Sequence, residues 1–95
     1  MNHYEVLYII NDTIEEAAKQ AIIDRFSNMV TENGGVVTKV EPWGRKRLAY
    51  PIRFMNEGYY VLMTFDAEPE FPAELERVMK ITEGVMRCLT TVVEE

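Results

Sequence analysis

The residues best suited to binding chemistry lie in one short stretch, residues 43–53, which reads WGRKRLAYPIR. It contains four of the ten lysines and arginines of the chain, namely Arg45, Lys46, Arg47 and Arg53. No Asp or Glu lies between Glu41 and Glu57, although the net charge of the whole chain is −6. A basic segment in an acidic protein predicts a local binding site for a polyanion, because the remaining surface would repel it.

The side chains of this stretch fit RNA in particular. Guanidinium groups pair bidentately with phosphates, and neighbouring aromatic rings such as Trp43 and Tyr50 can stack on bases. Contact with four phosphates would make log affinity fall with log salt with a slope of about −3. For Tyr50, which precedes Pro51, hairpin packing and RNA contact are equally open interpretations.

A structural explanation for these cations is that charges on an edge strand prevent aggregation between edges. That explanation accounts for one or two lysines. It does not account for four cations without an intervening acid. We therefore favour RNA binding.

The chain offers little material for catalysis. It contains one histidine, His3, and one cysteine, Cys88, which excludes paired metal-ligand spacing and leaves no convergent nucleophile, base and orienting group. The pair Gly34-Gly35 follows a helical pattern instead of preceding one, so it is not a phosphate-binding loop. We expect a protein that is not an enzyme and that has no metal and no cofactor.

Length and composition suggest a single domain over residues 1–95. A lone cysteine cannot form an internal disulfide, which favours a reducing compartment. No apolar run approaches the roughly 20 residues of a membrane span, and the first residues do not resemble a secretory signal. We expect a cytoplasmic protein.

Periodicity predicts a first strand over residues 4–10 and a first helix over residues 14–33. Thr13 and Glu16 have capping-box spacing, and Asp12 with Glu15 is an equally spaced alternative. Gly34-Gly35 ends the helix. The apolar stripe expected to face the core comprises Ile14, Ala18, Ala21, Ile22, Phe26, Met29 and Val30.

A second strand is predicted from residue 36 to about 54, with a bend or a bulge near Gly44. Pro42 and Pro51 cannot donate ladder hydrogen bonds and make it an edge strand. Residues 55–58 are predicted as a hairpin turn and 59–66 as the third strand. The second helix opens over residues 68–72 and carries an apolar stripe of Leu75, Val78 and Met79. A fourth strand follows over residues 85–93.

The order β-α-β-β-α-β is that of an α+β, ferredoxin-like split βαβ fold. Right-handed crossovers give a four-stranded antiparallel sheet of order 4-1-3-2 with both helices on one face. The face predicted to meet the helices carries Tyr4, Val6, Tyr8, Val61, Met63 and Phe65. The opposite, open face carries Leu7, Ile9, Tyr60, Leu62, Arg87 and Leu89.

The open face is a large apolar surface to leave in water, and such patches commonly mark interaction sites. Leu7, Ile9 and Leu62 suit a protein partner, whereas Tyr60 could stack on a base. Arg87 could contact a phosphate, which we favour, or pair across strands with Glu5. Partial cover by long side chains and a C-terminal segment is the alternative for the whole face. Cys88 is expected to pack on the helix side.

The nine residues from Gly44 to Ile52, GRKRLAYPI, resemble the signature of the ribosomal small-subunit protein six family. Tyr4-Glu5-Val6 and Gly58-Tyr59-Tyr60 resemble that family at the expected places as well. The resemblance covers essentially the whole chain. It implies a structural component of the small ribosomal subunit that binds the central domain of small-subunit rRNA jointly with ribosomal small-subunit protein eighteen.

The resemblance assigns roles to particular residues. By motif position, the rRNA contacts would be Arg45, Lys46, Arg47 and Tyr50, followed by Tyr4 and Arg87. The partner-binding residues, chosen from pattern alone, are Leu7, Ile9, Tyr60, Leu62 and Leu89. The competing hypothesis is a small ligand-sensing or oligomerisation module that uses the open sheet face, which would not explain the basic stretch.

Overall fold

The computed structural model describes residues 1–52 and 55–93, and the side chains of residues 1–48 and 56–93. Within these residues, one antiparallel sheet has the strand order β2-β3-β1-β4. This confirms the predicted order and the β-α-β-β-α-β succession. The elements in chain order are β1 (Asn2–Ile10), α1 (Glu16–Glu32), β2 (Val36–Ile52), β3 (Met55–Ala67), α2 (Phe71–Ile81) and β4 (Val85–Val92).

The core lies between the helices and the sheet face that the alternation of residues predicted. All six residues assigned to that face are buried. They pair across β1 and β3 as Tyr4 with Phe65, Val6 with Met63 and Tyr8 with Val61. Rings from the helices close the core, because Phe26 meets Tyr8 edge-on at 5.3 Å and Phe71 meets Phe65 at 5.9 Å.

Helix α1 begins later than its sequence predicted. Glu15 occupies the N-cap position without a side-chain hydrogen bond, so both proposed capping boxes are wrong. The Asn11 Oδ1 atom instead accepts hydrogen bonds from the Thr13 amide at 2.9 Å and the Thr13 hydroxyl at 2.7 Å. Such local side-chain bonds compete with helix formation, and here they hold the two residues after Asn11 in a turn.

The buried stripe of α1 also differs from the predicted one. Ala18 and Ala21 are exposed, whereas Ile23 and Lys19 are buried. A large Ile side chain buries more apolar surface than an Ala, which favours the rotation that brings Ile23 into the core. The stripe of α2 is as predicted, with Leu75 and Met79 fully buried.

Residues 55–58 belong to β3 and are not the predicted hairpin turn. Met55 already pairs with Ile52 of β2, and residues 53 and 54 between the strands lie outside the described part. Gly58 is a site of close approach, because a Cβ atom there would collide with Ile9 Cγ2. The glycine that looked like a turn residue therefore allows β1 and β3 to pack.

Candidate nucleic-acid interface

The candidate interface is the edge strand β2, which pairs only with β3 in the strand order. Its register against β3 shifts twice before the basic residues, between Val37 and Lys39 and between Pro42 and Gly44. At the second shift Trp43 is the extra residue of a β-bulge. Gly44 follows with a φ angle of +84°, a backbone conformation that glycine adopts without a steric penalty. The prediction of a bend or a bulge near Gly44 is confirmed, and the structure has a bulge there.

Strand alternation distributes the three described cations of the stretch over both sides of this edge. Arg45 lies opposite Tyr59 and Arg47 opposite Glu57, on the side of the sheet that carries the helices. Lys46 lies opposite Gly58, on the side of the open face. All three are exposed, so the edge presents positive charge in two directions.

Arg45 is held in place by acidic residues although most of its side chain is accessible. Its Nε atom lies 2.5 Å from Asp12 Oδ2 and 3.5 Å from Glu57 Oε2, while its side chain remains 66% exposed. The opposite oxygen of Asp12, Oδ1, accepts a hydrogen bond from the Lys19 ammonium at 3.0 Å. Asp12 therefore joins the loop before α1 to the basic strand.

The electrostatics of Asp12 follow from this geometry. Burial alone would raise the pKa of the Asp12 carboxyl, but hydrogen bonds from Lys19 and Arg45 outweigh it and hold the pKa below its ordinary value. Lys19 is 6% exposed at its side chain and also reaches Glu16 at 3.4 Å. The hydrogen bond to Asp12 is the main reason that the pKa of Lys19 is raised.

Lys46 has a different neighbour. Its ammonium nitrogen lies 5.4 Å from the ring centroid of Trp43, which is within the range of a cation–π interaction. Trp43 itself is 42% exposed. The bulge thus sets an accessible indole and a cation side by side on the strand edge.

One of the predicted RNA contacts, Tyr4, lies in the core and not on this edge. Tyr4 is only 5% exposed, its ring lies 5.7 Å from that of Phe65, and its hydroxyl accepts a hydrogen bond from Asn2 Nδ2 at 3.2 Å. This burial corrects the expected RNA contact, because a ring inside the core cannot stack on a base. The Tyr50 and Arg53 side chains lie outside the described residues.

The open face gathers the predicted partner residues on adjacent strands. Leu7 lies between Leu62 of β3 and Leu89 of β4, and Ile9 lies between Tyr60 and Arg87. A shallow depression of about 270 Å³ is lined by Leu7, Ile9, Arg87, Cys88 and Leu89.

The members of this face differ in accessibility. Leu89 is 62% exposed, whereas Ile9 is only 8% exposed. Ile9 lies directly against Gly58 of β3, and Leu48 of β2 lies near the same glycine. A partner on this surface would meet Leu89 first and Ile9 hardly at all.

Cys88 behaves as its sequence context suggested. It packs against the core cluster from the side of the helices, which confirms the predicted orientation. Burial raises the pKa of its thiol, and a raised pKa disfavours the reactive thiolate. Arg87, the residue before it in β4, is exposed on the other side of the strand.

Residue patterns did not reveal the cluster of Asp12, Lys19, Arg45 and Glu57. One signal was available, because Lys19 precedes the buried residues Ile23, Phe26 and Val30 at helical spacing. A lysine in such a stripe requires a buried partner. The spacing of residues did not indicate that the partner would be Asp12, in the loop before the helix.

Among residues 1–52 and 55–93, no group of three or more His, Cys, Asp or Glu side chains is arranged to hold a metal ion. Neither of the helices described there has the length and apolar character needed to cross a membrane.

The chain matches the family model of Ribosomal protein S6 over residues 3–92. It is 52% identical over 89 residues to small ribosomal subunit protein bS6 of Clostridium novyi, an alignment that covers 94% of each chain. It is 50% identical over 91 residues to the protein of the same name from an Exiguobacterium species, covering 96% of each chain.

The fold has a close counterpart among solved structures. The crystal structure of 30S ribosomal protein S6 from Thermotoga maritima superposes with a TM-score of 0.91. The superposition covers 97% of this chain and 87% of the other, at 28% sequence identity.

Proposed function

Since this chain belongs to the ribosomal protein S6 family, we propose that it binds the central domain of small-subunit rRNA jointly with small-subunit ribosomal protein eighteen. Membership makes the chain a structural, non-enzymatic protein of the small ribosomal subunit in the cytoplasm. The proposal goes further than membership. It names the RNA region and the protein that this chain contacts in the subunit, and the surfaces that make those contacts.

The observation that carries the RNA half of the proposal is the exposed basic edge of β2. Arg45, Lys46 and Arg47 are all exposed on one edge strand of a protein with net charge −6. Phosphate contacts depend on local cations, while the net charge of the protein governs long-range attraction. A local basic edge on an acidic protein therefore supports weak binding to RNA alone and stronger binding beside a basic partner.

The open sheet face supports the protein half. Leu7, Leu62 and Leu89 form an apolar row across three strands, and Leu89 is mostly exposed. Burying such a row against a second protein would remove apolar surface from water, which favours association. A basic partner would also be attracted by the acidic remainder of this chain, which would speed the encounter. Arg87, which lies opposite Ile9 beside this row, is proposed as a further rRNA contact away from the β2 edge.

The test is a binding titration with a fragment of central-domain rRNA at several salt concentrations, with and without protein eighteen. We expect weak binding of this chain alone and tight binding with the partner, with a salt dependence that reflects a few phosphate contacts. An unrelated RNA duplex of equal length serves as the control and should bind weakly in both cases. No binding to the rRNA fragment even with the partner present would refute the proposal.

A second measurement addresses the alternative of an oligomerisation module. A homodimer through the open face would also bury Leu89, and it would appear in analytical ultracentrifugation at micromolar concentration. We expect the protein eighteen complex to form at the expense of any such dimer. A dimer that excludes protein eighteen would favour the alternative.

A further inference from the structure

We propose that Trp43, with Lys46 beside it, forms a stacking site for one unpaired base of the bound RNA. The inference rests on the proposed function and adds a contact to a base. The neighbouring cations, by contrast, would contact phosphates. The ligand is a single-stranded nucleotide, with its base on the indole and its phosphate near the lysine.

The first argument is the exposure of Trp43. An indole that is 42% exposed leaves a large aromatic surface in water, where burial would be favourable. It is one of a few large hydrophobic side chains exposed to this degree among the described residues. It differs from the others in its position, two residues before Arg45 within the basic stretch.

The second argument is the backbone that presents it. Trp43 is the extra residue between the pairs of Pro42 with Val61 and Gly44 with Tyr60. Gly44 then takes a φ angle of +84° although no atom crowds the place where its Cβ would be. The glycine is therefore required by the bulge and not by packing. β-Bulges re-aim side chains and are frequent beside functional sites.

The third argument is the cation on the ring. Lys46 Nζ lies 5.4 Å from the indole centroid, so the charge that attracts a phosphate is next to the surface that would take its base. Base–aromatic stacking beside a basic groove is the general mode of single-strand recognition, and it tolerates any base because every base has a π-face. Edge protection alone would need the cation but not the indole.

The test compares Trp43→Leu and Trp43→Phe in the titration with the rRNA fragment and protein eighteen. Stacking on one base is worth between about 5- and 150-fold in affinity. We expect Trp43→Leu to lose an amount in that range and Trp43→Phe to lose much less, because phenylalanine keeps a ring. The salt slope should stay unchanged in both, whereas Lys46→Gln should lessen it by about 0.7–0.9.

Fluorescence gives an independent readout, because Trp43 is the only tryptophan of the chain. With Trp43→Phe as the blank, we expect emission to be quenched on adding a short oligoadenylate, and not by an abasic oligomer with the same number of phosphates. Urea denaturation of each variant checks that the fold is intact.

Three results would overturn the inference while the proposed function stands. One is wild-type RNA affinity in Trp43→Leu. Another is an equal loss in the Leu and Phe variants. The last is weaker binding of Trp43→Leu to protein eighteen in the absence of RNA, which would make Trp43 a protein contact. Failure of the unsubstituted chain to bind the rRNA fragment would instead refute the proposed function.

Discussion

The two edge strands of the sheet, β2 and β4, differ in how well they are protected from pairing with another chain. β2 is 17 residues long, contains two prolines and shifts register at Trp43. β4 is 8 residues long and keeps one register against β1 from Tyr4 to Ile9. Bulges, prolines and cations protect an edge from pairing with other chains, so β2 is protected and β4 is comparatively unprotected.

The difference indicates what each edge can bind. Ordinary strand alternation after the bulge of β2 places Arg45, Lys46 and Arg47 on both sides of the edge, where they can reach a polyanion. The regular backbone of β4 places Leu89 beside Leu7 on the open face, where it extends an apolar surface. One sheet thus offers a charged edge and an apolar edge with the first and third strands between them.

The largest expected effect comes from removing the charge of the β2 edge. In the triple variant that combines Arg45→Gln, Lys46→Gln and Arg47→Gln, we expect the affinity for the rRNA fragment in the presence of protein eighteen to fall. The expected loss is roughly 100-fold at physiological salt. The salt slope should lessen by about 2–3, because each lost phosphate contact removes 0.7–0.9. A titration at four salt concentrations measures both quantities.

The matched control neutralises Arg25, Arg77 and Lys80 on the helices, which changes the net charge by the same amount. Its affinity should change far less. Equal losses in the two triple variants would mean that net charge matters and the β2 edge does not.

The next largest effect is expected at Asp12, the carboxylate that pairs with Arg45 of β2 and with Lys19. We expect Asp12→Asn to lower the free energy of unfolding at pH 7 by roughly 1–2 kcal/mol, because Lys19 loses its closest carboxylate while Glu16 remains. The pKa of Asp12 is lower in the folded protein, so its contribution is complete above about pH 4 and is lost as the pH falls through the folded-state pKa. Urea denaturation between pH 7 and pH 3 measures it.

In that series the wild type and Asp12→Asn should converge at the acid end. Glu74→Gln is the control, because Glu74 forms an exposed ion pair with Arg77 on α2 and should change stability little. A gap between wild type and Asp12→Asn that does not narrow at low pH would contradict the ion-pair explanation.

The β4 side is tested by Leu89→Asp. We expect binding to protein eighteen to weaken about 10-fold, because the contact loses a buried Leu and gains a charge that must be desolvated. The salt slope of RNA binding should not change. Ile81→Asp is the control, since Ile81 is exposed to a similar extent on α2. A loss in both variants would remove the open face from the proposed interface.

The smallest effect is expected at the bulge. Gly44→Ala should cost about 1 kcal/mol of stability, because its φ angle is positive and no neighbour crowds the new Cβ. Gly34→Ala, at a φ angle of +82° in similarly open surroundings, should cost about the same. Only the Gly44 variant should also weaken RNA binding. An undiminished RNA affinity in Gly44→Ala would show that the bulge does not position the site.

Local sequence patterns were enough to predict the core face of the sheet, its β2 edge and the irregularity near Gly44. Alternation along residues 4–10 and 59–65 identified the core face, and the prolines of residues 42 and 51 identified β2 as an edge. Gly44 identified the bulge. These features follow from side-chain periodicity and from residues with special backbone preferences, and both act within a few positions of the chain.

Tertiary structure decided how the site is assembled. Asp12 and Arg45 are far apart in sequence, and only the approach of the loop before α1 to the β2–β3 hairpin makes them an ion pair. The sequence pattern made Gly58 look like a turn glycine, but in the fold Ile9 of β1 lies against it. The pattern also placed Ile9 on the open face, where it proves to be only 8% exposed. Local spacing carries no information about such neighbours, because each contact depends on how whole elements pack together.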